Sequence, residues 1–200
     1  MLAERQQALV GSQLALAEQV HGIEVSRVDS GHGWPVVGRA DVLVAEHDEP
    51  VPIGIWAADC APILLIGSSG TVVAAHGGWR GLAAGVIDVA VAQFGGTGQS
   101  IRAALVGPVI HACCYEFGSD DLEAVAAGVH AAPETVLATT ATGRQALDVP
   151  AAINAGFAVH GIDVESSGPC TGCDDRWFSH RVRGEPGRHA VIAWSARLPA

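Results

Sequence analysis

Residues 41–75, DVLVAEHDEPVPIGIWAADCAPILLIGSSGTVVAA, contain four short apolar or β-branched runs separated by proline, glycine and polar breaks. The runs 41–45, 53–58, 62–66 and 71–75 have strand length, and Asp48, Pro50, Gly67, Ser68 and Gly70 mark the turns between them. Residues 80–94 then read as a helix, and 101–106 return as a buried strand. Upstream, residues 2–18 carry leucines and a valine at helical spacing, weakened by Gly11. Residues 23–28 read as a short strand, and Gly31, Gly33 and Pro35 mark a loop. Downstream, Asp120 followed by Glu123 fits a capping arrangement for a helix running toward residue 129. Asp148 with Pro150 in the first turn opens another through 157. Residues 162–165, 177–181 and 190–194 close the sheet. Hairpin-like strands interleaved with helical crossovers imply an α+β fold with mixed β-sheets. No linker, repeat or low-complexity tract divides the chain, so residues 1–200 form a single domain.

Composition narrows the function classes. The chain is 49% hydrophobic and only 5% aromatic, with a mean hydropathy of +0.31, which excludes a disordered chain. A formal net charge of −10 and the lack of any Lys/Arg stripe argue against nucleic-acid binding through phosphate neutralisation. A small anion is still admissible where a local Arg and backbone N–H groups outweigh the bulk field. The five cysteines, at 60, 113, 114, 170 and 173, are odd in number and two are adjacent, unlike a secreted disulfide framework. Glu4, Arg5, Gln6 and Gln7 interrupt the first residues, so no signal-peptide core is present, and no apolar run reaches membrane-span length. The expectation is a cytoplasmic protein that meets no membrane; oligomeric state is not readable.

Three segments place metal-competent side chains at turns beside strands: QVHG at 19–22, ADCAP at 58–62 and AHGGWRG at 75–81. Their ligand candidates, His21, Cys60 and His76, are too far apart in the chain for a zinc-finger knuckle. Such spacing suits a site assembled from several strand ends, where three protein ligands leave a fourth position open. On residue grounds two other readings stand beside it. Cys60 with His76 or His21 could form a thiol nucleophile pair, or Cys60 could be a small core residue flanked by turn histidines. The glycine-rich turn at 77–81 joins a buried strand to a helix. Its N–H groups, including that of Gly78, and the guanidinium of Arg80 are candidate phosphate ligands; alternatively Trp79 packs in the core and Arg80 pairs with an acid. Asp59 reads equally as a proton acceptor or ligand-orienting group and as a turn-forming residue. His111, Cys113, Cys114 and Tyr115 follow a Gly-Pro turn and are expected near the same pocket, with the adjacent cysteines filling space. Cys170 and Cys173 form a C-x-x-C that is either redox-active or half of a second metal site; without a second C-x-x-C, the structural role is favoured.

Six stretches together resemble the polyphenol oxidase/laccase-domain family, whose members are also described as purine nucleoside phosphorylases and peptidoglycan-editing factors. They are QVHG (19–22), ADVLVA (40–45), AADCAPILL (57–65), AAHGGWRG (74–81), GPVIHACCYEFG (107–118) and CTGCDDRWFSHR (170–181). The resemblance implies an α/β/β/α-like layering of sheets between helices. It implies Zn2+ on His21, Cys60 and His76, with Cu2+ as the alternative that the older family name carries. Blue-copper sites often add an axial Met, and the one methionine here is Met1, so zinc is favoured. Arg80 matches the Arg of the family's AGWRG motif, with Gly77 standing where Ala is usual. The implied activity is phosphorolysis of purine nucleosides (adenosine, inosine, guanosine, methylthioadenosine) with adenosine deamination as a side activity. Arg80, Asp59 and Cys60 are then the candidate catalytic residues, and Arg80, Gly78 and Tyr115 the candidate substrate and phosphate contacts. Alternatives are a copper phenol oxidase, a hydrolase of misincorporated peptidoglycan precursors using Cys60 as nucleophile, and a metal-stabilised module without activity. Family members usually carry further strands before the first helix, and this chain starts at that helix; an exposed sheet edge is expected there.

Overall fold

Residues 14–29, 36–46, 51–96, 98–166 and 168–194 are described by a computed structural model. In chain order its strands are β1 (Leu16–Glu18), β2 (Val25–Val28), β3 (Val36–Arg39), β4 (Val42–Ala45), β5 (Ile53–Ala57), β6 (Ala61–Gly67) and β7 (Val72–Gly77). Helices α1 (Trp79–Ala83) and α2 (Val86–Ala92), strand β8 (Ile101–Val106) and a 3-10 turn at Ala112–Cys114 follow. Next come α3 (Ser119–Gly128), α4 (Pro133–Val136), the hairpin β9 (Leu137–Thr139) and β10 (Gln145–Leu147), and α5 (Val149–Ala158). The described chain ends with β11 (Val164–Ser166), α6 (His180–Arg183) and β12 (His189–Ala193).

The central element is a six-stranded mixed sheet in the order β11-β8-β6-β7-β4-β2. Its strands are apolar at consecutive positions because both faces are covered, and the two-residue period of a strand divides them. Val42, Val44, Ile63, Leu65, Val73 and Ala75 face the helices, packing with Leu82, Ile87, Ile153 and Phe157. Leu43, Ala45, Leu64, Val72 and Ala74 face a second layer built from Ala15, Ala17, Ile53 and Ile55. That layer contains β5 paired antiparallel with β12 and β1 paired parallel with β3, joined through an Ala15–Ile53 bridge. The expected mixed, layered fold is the one observed.

Several local expectations change. Residues 2–13 of the proposed first helix lie outside the described residues, while Leu16–Glu18 are strand. There the Ala15 N–H donates to Pro52 O at 2.8 Å and the Gly54 N–H to Ala15 O at 3.0 Å. Leu and Ala favour helix, but pairing with β5 and burial of Leu14 and Leu16 override that preference. The single helix expected over 80–94 is two, broken at Gly85, whose φ of +84° lies in the left-handed region. α3 has Gly118 as its N-cap with no side-chain cap; Asp120 and Asp121 instead favour the helix start as charges in its first turn. Asp148 does cap α5, accepting the Ala151 N–H at 3.0 Å. The strand expected at 177–181 is a turn leading into α6, because Ser179 accepts the Val182 N–H and starts a helical turn.

Where α1 crosses α3, Gly128 leaves no room for a side chain. A Cβ there would lie 2.3 Å from Leu82 O and 2.4 Å from Ala83 O. Both obstacles are backbone, so relief requires moving a helix. Gly128→Ala is therefore expected to destabilise the fold by about 1–3 kcal/mol, read as a lowered urea midpoint. An unchanged midpoint would mean that the helices are not in this contact.

Candidate functional site

The site lies at one end of the central sheet, where the starts of β4 and β6 meet the end of β7. Register determines which residues converge: Val42 pairs with Ala75, and Ala61 and Pro62 pair with Gly77 and His76. Asp41 and Cys60, each immediately before its strand, are thereby brought beside His76. The loop after β1 carries His21 to the same place. The ligand-capable atoms of His21, Cys60 and His76 lie within 4.8 Å of one another. Cys60 Sγ is 3.8 Å from His21 Nε2, and the two imidazoles meet edge-to-face with centroids 4.7 Å apart.

Asp41 holds this arrangement in place. It is fully buried, and its carboxylate accepts the backbone N–H groups of Val20, His21 and Gly22 at 3.1, 2.9 and 2.8 Å. It also accepts the His76 Nδ1–H at 2.8 Å. That bond occupies Nδ1 and leaves Nε2 as the ring's available ligand atom, from which a metal would displace the proton. His21 has φ +61°, a left-handed conformation stabilised by the same carboxylate. Burial pushes the Asp41 carboxyl up, but the bonds from His76, Gly22 and Val20 outweigh it and hold it below 3.8.

The three candidate ligands perturb one another. Burial pushes the Cys60 thiol up, yet its contacts with His21 and His76 bring it down to about 6. Burial pulls His76 down, and its bonds to Asp41 and Cys60 raise it to about 9. A Cβ on Gly78 would come within 2.7 Å of His21 Cδ2 and 3.3 Å of Cys60 Sγ, so only glycine leaves the space between them open. A preformed thiolate, an imidazole whose second nitrogen is already bonded, and an open space between the ligands together fit a divalent metal with a free fourth position. Metal identity is not fixed by this geometry.

These side chains form part of the wall of a cavity of 530 Å³, a size typical of small-molecule sites. Arg80, Arg181, Arg188 and His180 also line it, with Trp56 and Tyr115. The Arg181 guanidinium lies 4.7 Å over the Tyr115 ring, and that of Arg80 lies 4.4 Å over Trp79. Burial, and then the charge of Cys60, push the Tyr115 hydroxyl up to about 12. Asp59 has a left-handed backbone, φ +89°. It accepts Thr171 Oγ1–H at 2.7 Å and the Arg181 N–H at 2.6 Å, which ties the loop bearing Arg181 to the cavity. With α1 reduced to residues Trp79–Ala83, little helix dipole stands behind the 77–81 turn, and the positive character of the cavity comes from its side chains.

Sequence reasoning missed Asp41, Arg181 and Arg188 as site residues. Asp41 had one signal: an acidic residue opening an otherwise apolar strand. Of His111, Cys113, Cys114 and Tyr115, only Tyr115 is among the residues lining this cavity. The adjacent cysteines do more than fill space. They converge with Cys170 and Cys173 in a cluster whose four sulfurs lie within 4.8 Å of one another.

Residues 2–196 match the family described as multi-copper polyphenol oxidoreductase laccase. A purine nucleoside phosphorylase of Pseudomonas aeruginosa is 34% identical over 180 residues, covering 88% of this chain and 72% of that protein. One from Streptomyces coelicolor is 33% identical over 198 residues, covering 96% and 79%. Among solved structures, Neisseria meningitidis protein NMB0706 superposes with a TM-score of 0.81 at 30% identity, covering 96% of this chain and 78% of that one. YlmD from Geobacillus stearothermophilus superposes with a TM-score of 0.80 at 27% identity, covering 98% and 80%. A match running through the metal-competent turns and both arginine-bearing segments places this chain in the multi-copper polyphenol oxidoreductase laccase family.

Proposed function

We propose that the protein is a zinc-dependent purine nucleoside phosphorylase. The observation that carries the reading is one cavity holding a His–Cys–His triad together with Arg80, Arg181 and Arg188, in a chain whose net charge is −10. Positive charge concentrated against that acidic background suits an oxyanion substrate such as phosphate. The names of the relatives from Pseudomonas and Streptomyces support the same substrate pair.

In phosphorolysis a phosphate oxygen bonds to the anomeric carbon while the C–N glycosidic bond breaks, and its electron pair leaves with the base. Arg80 and Arg181 hold the phosphate under the sugar, and Tyr115, kept protonated by its raised pKa, donates a hydrogen bond to it. Gly78, expected as a phosphate contact, is not among the residues lining the cavity and instead leaves room between His21 and Cys60. Trp56 offers the purine an apolar face. Asp59 acts as a positioning residue through its hold on the Arg181 backbone. Zinc, held by His21, Cys60 and His76, would supply Lewis acidity toward a substrate oxygen, and the same centre could serve adenosine deamination. A second reading, hydrolysis with Cys60 as nucleophile, is favoured by its thiol lying near 6.

Zinc-replete protein given inosine and phosphate is expected to release hypoxanthine, and His76→Ala to abolish the release. Absence of hypoxanthine from the wild-type protein, or full turnover by the variant, would overturn the phosphorylase reading. Phosphate-independent release of base would instead indicate hydrolysis. Arg80→Ala and Arg181→Ala each remove charged hydrogen bonds of about 1.5–3 kcal/mol. The KM for phosphate should therefore rise about tenfold to a hundredfold, with less change for the nucleoside.

Asp41→Asn keeps the shape but loses the charge that orients His76, and should weaken zinc binding about tenfold to a hundredfold. Zinc affinity of the wild-type protein should also fall as pH drops below about 9, where His76 holds a proton the metal must displace, and more steeply below about 6, where the Cys60 thiolate takes up its own. Competition with a chromophoric chelator across that range measures both effects. Copper in place of zinc in the protein as isolated would favour the oxidase alternative.

A further inference from the structure

Away from the cavity triad, the four remaining cysteines gather from two distant segments. Cys113 and Cys114 lie on the 3-10 turn after β8, and Cys170 and Cys173 on the turn after β11. All are free thiols. We propose that Cys113, Cys114, Cys170 and Cys173 form a second metal site that binds one zinc ion as a tetrathiolate and is structural in role. It stands whether or not the cavity is a phosphorylase site.

Three observations carry the assignment. The first is spacing. A tetrahedral zinc with Zn–S bonds of about 2.3 Å places its sulfurs about 3.8 Å apart. Here Cys113 and Cys114 are separated by 3.8 Å, Cys113 and Cys173 by 3.5 Å, and Cys114 and Cys173 by 3.4 Å. The second is backbone geometry. Cys170 O accepts the N–H groups of Cys173 and Asp174, both at 3.0 Å, which winds 170–174 into a tight knuckle. The His111 N–H donates to Cys170 Sγ at 3.2 Å, the kind of bond that stabilises a metal thiolate. The third is Gly172, where a Cβ would lie 2.8 Å from Cys114 Cβ and 2.9 Å from its Sγ. The knuckle can close on the second cysteine pair only with glycine at that position. The Arg183 guanidinium, ion-paired with Glu185 at 2.9 Å, anchors the knuckle by donating to the carbonyls of Gly172 and Thr171, each at 3.2 Å.

Four protein ligands leave no open coordination position, so the site is closed to substrate. Its effect on the cavity is mechanical. Thr171, inside the knuckle, donates to Asp59, which also holds the Arg181 backbone. Binding releases the thiol protons to solvent and fixes the segment that delivers Arg181.

The test uses full-length protein purified under reductant. His76→Ala, with the cavity triad broken, should keep about one zinc per chain. After cobalt replacement it should show the intense sulfur-to-cobalt charge-transfer band of a four-thiolate tetrahedral ion. Adding Cys173→Ser should remove that zinc and weaken the band, and Gly172→Ala should lower zinc affinity. X-ray absorption at the zinc edge on His76→Ala should give sulfur-only coordination near 2.3 Å, a measurement that stands even if the cysteine variants fail to fold. A His76→Ala protein without zinc, mixed nitrogen and sulfur coordination in it, or two disulfides among these four cysteines mapped under reductant would overturn the proposal.

Discussion

A buried carboxylate has to be bonded at nearly every lone pair or it does not stay ionised, and Asp41 meets that demand with three main-chain N–H groups and an imidazole. Bonds to a charged acceptor are worth about 1.5–3 kcal/mol each, so this side chain is a strong local clamp. Its partners come from two places, the loop after β1 and the end of β7, and Asp41 itself opens β4 between them. Removing the carboxylate would free His21 from its left-handed backbone and His76 from its orientation together. The candidate metal ligands are thus positioned by a residue that is not itself one of them.

The sheet supplies the rigid base for that clamp. Each of β4, β6 and β7 alternates its side chains between the helices and the second sheet, and both sides exclude water. A one-residue slip of any of them would exchange the two faces and move the strand ends that carry Asp41, Cys60 and His76 out of register. Packing and chemistry therefore select the same pairing. The cost of this economy is small-residue dependence: Gly78 is hemmed in by His21 and Cys60, and Gly128 by the α1 backbone.

Much of this was legible before the structure. The strands within 41–75 were readable from β-branched runs and turn residues, because burial on both faces leaves each an apolar run whatever its partner. The helix at 149–158 was readable from Asp148 and Pro150. Residues 14–18 misled because Leu and Ala have helical preference, and only partners at 36–39 and 52–54 make them strand. At 177–181 the alternating bulky residues suggested a strand, though Ser179 carried the signal of a helix cap. In the site, His21, Cys60 and His76 announced themselves by residue type at turns beside strands. Asp41 resembled an ordinary strand-opening residue, because its four bonds come from segments 19 to 35 positions away. Arg181 and Arg188 gave no local cue. They reach the cavity through the Asp59 bond to Arg181 and the antiparallel pairing of β12 with β5.

That last pairing also orders events in time. His189 aligns with Ala57, 132 positions earlier in the chain, and Arg188 reaches the cavity wall only when this strand docks. Chains emerge from the ribosome N-terminus first. The segments bearing His21, Cys60, His76 and Arg80 are therefore available to fold while Arg181 and Arg188 are still being synthesised. A nascent chain would pass through a form that has the candidate metal ligands and one cavity arginine before the other two arrive.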